Sequence, residues 1–200
     1  MKKKVLLAAA LVVCLAVAVS GSLAYFTAEE RAHNVITTGG IAIELLETTG
    51  QLDENGNPIP FENVNGVMPG ASVAKIVQVK NTGANDAYIR VSVEKAIELA
   101  QGVEGEADLT LVSLDLNTMN WTEKDGYYYY TKVLEADATT DALFDQIVLG
   151  TDTVNGDATT EYKIPVKAEA VQAQGAKTKW ADVQNMTVEE IAAWFATCMA

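Results

Sequence analysis

From Asn34 to about Gln172, short runs of alternating or β-branched apolar residues are separated by Gly, Asn, Asp and Pro. Apolar residues at every second position indicate half-buried strands, and the residues between the runs are typical of turns. The pattern predicts seven strands: Val35–Leu46, Ser72–Asn81, Ala87–Val93, Leu109–Leu116, Gly126–Leu134, Phe144–Leu149 and Tyr162–Val171. Strands of this number and length favour an all-β sandwich.

Two of these strands have a pattern that assigns their faces. In the strand from Ser72, one face is predicted to carry Val73, Lys75, Val77 and Val79. In the strand from Ala87, apolar and mostly polar residues separate onto opposite faces: Ile89, Val91 and Val93 on one, and Tyr88, Arg90 and Ser92 on the other. Such a split is typical of a strand with one face on the core and one facing outward.

Tyr127–Tyr130 is a run of four aromatic residues that, in a strand, directs two rings to each face. The simpler interpretation is a core face and a covered outer face. The functional alternative is a stacking platform for glycans or for another chain.

The C-terminal tail has a helical period. Thr187 followed by Glu190 predicts a capping box, and the apolar residues after it recur at i, i+3, i+4 and i+7: Ile191, Trp194, Phe195 and Cys198. We expect this amphipathic helix to bury its apolar face on its own sandwich, at the edge, rather than on a neighbouring molecule. A linker is predicted from Gly175 to Asn185.

The N-terminus has the order of a secretory signal peptide: Lys2 to Lys4, an apolar run from Val5 to Val19, and then small polar residues. The run covers only about 22 Å as a helix, short of a bilayer core of roughly 30 Å, so no stable membrane span is expected after processing. Ser22 and Ala24 supply the small side chains that signal peptidase requires, which predicts cleavage before Tyr25. The predicted organisation is a signal peptide (1–24), an N-terminal extension (25–34), a β-sandwich domain (35–174), and a linker with a C-terminal helix (175–200).

Charge and residue content restrict the function of the exported chain. Removal of residues 1–24 leaves 200 − 24 = 176 residues and a net charge of (14 − 3) − 27 = −16, which disfavours nucleic acid and anionic membrane surfaces as partners. His33 is the only histidine, so neither a catalytic triad nor a typical zinc protease site is predicted. Residues 53–58 begin like a calcium loop, but Pro58 and Val64 replace its essential glycine and glutamate. We therefore predict a turn there, no cofactor, and at most weak surface calcium.

Several short segments resemble the TasA/camelysin family of exported bacterial proteins, and their order and spacing carry the resemblance. They are Gly21-Ser22-Leu23-Ala24-Tyr25-Phe26-Thr27, Asn34-Val35-Ile36-Thr37-Thr38-Gly39, Val67-Met68-Pro69-Gly70, Val79-Lys80-Asn81-Thr82-Gly83 and Asp86-Ala87-Tyr88-Ile89-Arg90-Val91. The resemblance covers most of the chain but not the tail after about Trp180. It implies processing by a specialised signal peptidase of the SipW type.

The fold prediction is thus an all-β, jelly-roll or Ig-like antiparallel β-sandwich with a C-terminal amphipathic helix. The resemblance further implies a protein that assembles with itself and other matrix components into biofilm-matrix fibres, or that stays at the cell surface. A mechanism is that Tyr25, Phe26 and Thr27, freed by cleavage, add a strand to a neighbouring sandwich.

Two alternatives to a structural protein remain open at this point. Camelysin members of the family are described as proteases, which makes a secreted metallopeptidase the second hypothesis, although a single histidine gives it little support. The third is a monomeric surface adhesin or glycan-binding module that uses Tyr127–Tyr130.

Overall fold

The computed structural model describes residues 40–62, 70–98, 109–150 and 161–200, which belong to one compact unit, Val35–Ala200. The predicted signal peptide and N-terminal extension lie outside the described residues. The same is true of Ser22, Ala24, Tyr25, Phe26, Thr27 and His33. The cleavage site and the donor segment therefore stay predictions.

Twelve strands are described, and two short helices follow them. The strands are β1 (Ile43–Leu52), β2 (Pro58–Pro60), β3 (Ser72–Ala74), β4 (Ile76–Asn81), β5 (Ala87–Val93), β6 (Ala96–Glu98), β7 (Val112–Leu114), β8 (Trp121–Lys124), β9 (Tyr127–Tyr130), β10 (Gln146–Leu149), β11 (Glu161–Lys163) and β12 (Val166–Gln172). A 3₁₀ turn at Leu109–Leu111 precedes β7, and the helices are α1 (Trp180–Val183) and α2 (Val188–Cys198).

The first layer combines two strand groups, β2-β1-β4 and β3-β10-β7. The two groups are joined because β3 of one group and β4 of the other follow each other directly along the chain, with only Lys75 between them. Residues 138–145 also run antiparallel beside β4, with backbone bonds from Thr140 to Val79 (2.9 Å) and from Leu143 to Val77 (2.8 Å). The outer strands of this layer are β2 and β7.

The second layer has the order β12-β5-β9-β8, all antiparallel. The β6–β11 pair continues the β5–β12 ladder in the same register, because Val166 lies opposite Val93 and Glu161 lies opposite Glu98. The outer strands of this layer are β12 and β8.

The main core lies between the two layers. It contains Val77 and Val79 from the first layer and Ile89 and Val91 from the second, each at 0% exposure. The prediction that Val77 and Val79 share one face, and that Ile89 and Val91 share one face, is therefore confirmed, and both faces lie on the core. The prediction of an all-β antiparallel sandwich with a C-terminal helix is confirmed as well.

Several predicted strand limits are wrong. The first strand begins at Ile43 and continues past Leu46 to Leu52, because β2 pairs with its second half. The strand predicted from Gly126 to Leu134 is only β9, whose hairpin partner β8 was not predicted. The last strand is interrupted after Lys163, and the strand predicted from Leu109 begins with the 3₁₀ turn. The strands β2 and β6 were also not predicted.

Helix α2 has the predicted capping box: Thr187 accepts from the Glu190 N–H, and the Glu190 side chain accepts from the Thr187 N–H. Its apolar stripe packs on its own sandwich, as expected, but on the outer face of the second layer rather than at an edge. There it forms a second cluster with the strands, consisting of Tyr88, Tyr129, Val171, Ala173, Val183, Met186, Ile191 and Phe195. The predicted linker is partly wrong, because it contains α1 and the buried Val183. In the described ranges, no helix is both long enough and apolar enough to cross a membrane.

Candidate functional site

The outer strands decide where another chain can pair with this sandwich, because an unpaired edge exposes backbone N–H and C=O groups. In the first layer, β2 consists of Pro58, Ile59 and Pro60. Proline has no backbone N–H and is a common means of preventing edge pairing. The β2 edge is thus a poor acceptor for a strand.

The β12 edge is occupied at both ends by side chains. The Glu94 N–H donates to Pro165 O, and the Ala173 N–H donates to Asp86 O. The backbone N–H and C=O groups of the odd-numbered residues of β12 therefore point toward β5, and those of the even-numbered residues point outward. Two of the outward carbonyls have side-chain donors. The Lys75 ammonium donates to Ile164 O at 2.9 Å, and the Trp194 indole donates to Gln172 O at 2.8 Å.

Between these two contacts the β12 edge is covered. Ala168 and Ala170 are 4% and 0% exposed. Lys75 is held in place by an ion pair with Glu47 at 2.9 Å and lies 4.8 Å above the Phe61 ring centroid. The edge of β12 is therefore closed to a partner in this conformation.

The β7 edge carries a similar contact. Leu111 and Asp115 bond to β10 through their backbones, so Val112 and Leu114 direct their backbone groups away from it. The Lys95 ammonium donates to Val112 O at 2.7 Å. A buried or half-buried lysine thus protects an edge in each layer, which is one of the means by which natural sheets prevent aggregation.

The β8 edge is the least protected of the four. The Thr131 N–H donates to Asn120 O. The backbone N–H and C=O groups of Thr122 and Lys124 therefore point toward β9, and those of Glu123 point outward. Thr122 and Glu123 are exposed. Lys124, whose side chain is 35% exposed, pairs only with its neighbour Asp125 among the described ion pairs. The Trp121 N–H at this edge already donates to Asn117 O at 3.1 Å, and the outward backbone groups of Glu123 stay within reach of a partner strand.

A cleft of about 370 Å³ opens beside β8, between the β8–β9 hairpin and the segment after β7. Its lining is mainly apolar, with a polar rim: Val93, Leu116, Asn117, Thr118, Trp121, Glu123, Gly126, Tyr128 and Leu143. We call this set the lateral cleft. Since Trp121 and Leu143 belong to the main core, the cleft leads from the open β8 edge to the inside of the sandwich.

The β8–β9 hairpin supplies one side of the lateral cleft. Asp125 and Gly126 have φ values of 52° and 80°, the left-handed values of a two-residue turn that matches the strand twist. Glu123 and Tyr128 lie opposite each other on the inner face of this hairpin. Burial and the nearby Glu123 charge raise the pKa of Tyr128, so its phenol is neutral at physiological pH.

The Tyr127–Tyr130 strand has the predicted arrangement of a core face and a covered outer face. Tyr128 and Tyr130 pack on the main core, and Tyr127 and Tyr129 pack on the cluster beneath α2. The strongly exposed large apolar residues of the described chain lie elsewhere: Leu52, Leu109, Met119 and Trp180. An exposed tyrosine platform on β9 is not formed.

The acidic segment at residues 53–58 is the turn between β1 and β2, as predicted. Asp53 Oδ1 accepts from the N–H groups of Asn55 and Asn57, each at 2.8 Å, and Oδ2 accepts from the Asn57 amide at 3.2 Å. These bonds, the one from the Asn57 backbone first, lower the pKa of Asp53. The part of the chain that the structure describes holds no group of three or more His, Cys, Asp or Glu residues arranged for a metal.

The predicted site residues Ser22, Ala24, Tyr25, Phe26 and Thr27 lie outside the described ranges, so the structure brings none of them together with the lateral cleft. Sequence reasoning did not predict the cleft. The Asp125-Gly126 pair, a strong hairpin signal, was the feature that could have located it.

The chain was compared with protein-family models, with curated proteins and with solved structures, and none of the three comparisons found a match.

Proposed function

We propose that this chain is an exported structural protein that assembles with itself outside the cell, as a matrix fibre or a surface layer. Residues 25–34 of one copy would add a strand to the β8 edge of the next, with an aromatic side chain in the lateral cleft. The observation that carries the proposal is the lateral cleft itself, which joins the least protected of the described sheet edges to the core. The secretory pattern at the N-terminus and the family resemblance support it.

The dimensions of donor and acceptor agree. The strand β8 is four residues long, and Tyr25, Phe26 and Thr27 form a β-compatible stretch of three. Each aromatic ring can bury on the order of 150–250 Å², worth about 4–6 kcal/mol at 25 cal/mol per Å² before entropy costs. The apolar lining of the cleft gives one such ring a place to be buried.

The charge of the chain is compatible with specific assembly. A net charge of −13 for the full sequence keeps copies apart unless a defined contact outweighs the repulsion. Addition of a strand supplies that contact through backbone hydrogen bonds, which salt screens weakly. The proposal assigns no enzymatic activity to the chain.

The first experiment compares purified residues 25–200 with residues 28–200 by negative-stain microscopy and sedimentation. We expect filaments from the first and monomers from the second. Filaments of equal abundance from both would exclude Tyr25–Thr27 as the donor. A protein that stays monomeric with its complete N-terminus would exclude self-assembly.

The second experiment tests the acceptor with the pair Glu123→Pro and Glu123→Ala. The Glu123 N–H faces away from β9, so proline removes the hydrogen-bond donor that an added strand needs without removing a bond to β9. Alanine removes the same carboxylate and keeps the N–H. We expect E123P to prevent filaments and E123A to permit them; equal assembly of the two variants would show that β8 is not the acceptor.

A further inference from the structure

A second concave site lies away from the lateral cleft and contains an exposed indole. Trp180, the first residue of α1, is 41% exposed and borders a pocket of about 240 Å³. The other lining residues are Ala84, Asn85, Asp86 and Gln174. None of them lines the lateral cleft, and the proposed assembly does not use them.

The floor of this pocket is held rigidly by a buried side chain. The Asn81 amide, 0% exposed, donates to the backbone oxygens of Asn85 (2.9 Å), Leu134 (3.2 Å) and Glu135 (3.2 Å). Its oxygen accepts from the Gly83 N–H at 3.0 Å. The loop that presents Asn85 and Asp86 is therefore fixed before any ligand arrives, which lowers the entropy cost of binding.

The indole is positioned from the other side. The phenol of Tyr88 donates to Val183 O in α1, and the Gln184 N–H donates to Trp180 O at 3.0 Å. Trp180 thus stands on a short helix that is tied to the second layer. A large apolar ring kept at the surface in this way, beside a polar concavity, is typical of a binding site rather than of a packing residue.

The polar groups at the pocket are planar amides and a carboxylate with hydrogen-bonding capacity to spare. Asp86 Oδ1 accepts from the Ala136 N–H at 3.1 Å, which leaves Oδ2 outside that bond. Asn85 Nδ2 makes a long contact of 3.4 Å with Gly40 O, and Gln174 is exposed. Paired donors and acceptors of this kind bind adjacent hydroxyl groups, while a flat indole stacks on an apolar C–H face.

We propose that the Trp180 pocket binds a neutral sugar residue of an extracellular polysaccharide. The pocket volume of about 240 Å³ is room for one sugar ring. Asp86 and the negative net charge disfavour phosphorylated, sulfated or uronic acid sugars, and also nucleic acids, whose backbone carries phosphate.

The test is a titration of ¹⁵N-labelled protein with maltohexaose, cellohexaose and the neutral N-acetylated chitohexaose, followed at the indole N–H signals. Trp121 and Trp194 serve as internal controls because their indoles donate to the carbonyls of Asp141 and Gln172. We expect at least one sugar to shift the Trp180 signal. The same sugar should leave the signals of Trp121 and Trp194 in place. No shift of the Trp180 signal with any of the three sugars at saturating concentration would overturn the proposal.

Variants then assign the contact. Trp180→Ala is expected to weaken binding by about three- to tenfold, the equivalent of one aromatic contact, and Gln174→Ala by a smaller factor. Leu52→Ala is the matched control, since Leu52 is another exposed apolar residue (64%) at the end of β1. If W180A does not fold, Trp180→Phe and Q174A take its place; equal affinity of these variants and L52A would overturn the site. The E123P protein carries the same pocket, so the titration is independent of assembly.

Discussion

The contact between α2 and the second layer makes a quantitative prediction for Phe195. This side chain is 0% exposed, and its ring centroid lies 5.8 Å from that of Tyr129 in an edge-on arrangement of 79°. The Arg90 guanidinium carbon lies 4.6 Å from the Phe195 centroid and 4.0 Å from that of Tyr127, and Arg90 pairs with Glu169 at 2.6 Å. Phe195 therefore covers an ion pair that is largely buried.

Phe195→Ala should lower the free energy of unfolding by about 3–5 kcal/mol, the usual cost of removing a buried phenylalanine. About 0.5–1.5 kcal/mol of this is the aromatic pair with Tyr129, and the rest is lost burial and a cavity next to Arg90. With a total stability of about 5–15 kcal/mol for a domain, the loss is a large fraction of the whole. Phe195→Leu keeps most of the volume and should cost only about 1–1.5 kcal/mol.

The assay is urea unfolding of residues 25–200 followed by tryptophan fluorescence, since Trp194 on the same helix reports its docking. At about 1–3 kcal/mol per molar urea, the midpoint of F195A should fall by at least about 1 M. Thr197→Ala, at an exposed position of α2, is the control and should change the midpoint little. A midpoint for F195A equal to that of T197A would refute the assignment of α2 to this surface.

Two further predictions concern stability. Burial first, and then the charge of Glu190, raise the pKa of Tyr88 to about 12. Burial first, and then the hydrogen bond to Asp141, raise the pKa of Tyr130 to about 12; both values lie above the 10.0 expected when unfolded. Their contribution to stability is therefore complete below pH 10 and is lost as the pH rises to about 12; the urea midpoint should fall across this range, and less steeply in a Tyr88→Phe/Tyr130→Phe double variant. Gly83→Ala would place a Cβ 2.6 Å from Ala42 N, so we expect a loss of about 2–3 kcal/mol in a thermal melt, and an unchanged midpoint would show that the loop moves aside.

The parts of the fold that sequence predicts best are those in which local pattern and tertiary burial agree. The strand Ala87–Val93 has the predicted limits and the predicted inward face, because Ile89 and Val91 are apolar and β-branched at alternate positions. The other face is not solvated: Tyr88 is 1% exposed beneath the α2 cluster. Alternation identifies which residues share a face, but not what covers it.

Strand limits fail where pairing rather than composition decides them. Glu47, Thr48 and Thr49 read as the end of a strand, yet β1 continues because β2 supplies a partner. The strand β8 was not predicted because Thr122, Glu123 and Lys124 are polar on both faces, as is usual at an outer strand. The Asp125-Gly126 pair is a strong signal for a hairpin turn, and it is better evidence for a strand at β8 than the polar residues are against one.

The candidate sites were less predictable than the fold. Alternation placed Lys75 on the same face as Val77 and Val79, but did not show that its ammonium reaches Ile164, which is distant in sequence. The indole of Trp194 was predicted to be part of an apolar stripe, and its bond to Gln172 depends on where α2 docks. Such edge contacts are tertiary facts, because the periodicity of one segment carries no information about the edge of another.

In the proposed assembly, the uneven protection of the four described outer strands sets how many partners each copy accepts. The other three described edges are protected, by the prolines of β2, by Lys95 at β7, and by Lys75 and Trp194 at β12, so β8 is the least protected edge. Each chain also has one N-terminus. In the proposed assembly, a copy with one donor segment and one acceptor edge would make head-to-tail contacts, which give an unbranched filament unless the rotation closes a ring. In the proposed filament, an E123P copy would donate but not accept, so adding it at a small molar fraction should shorten filaments in proportion to its amount.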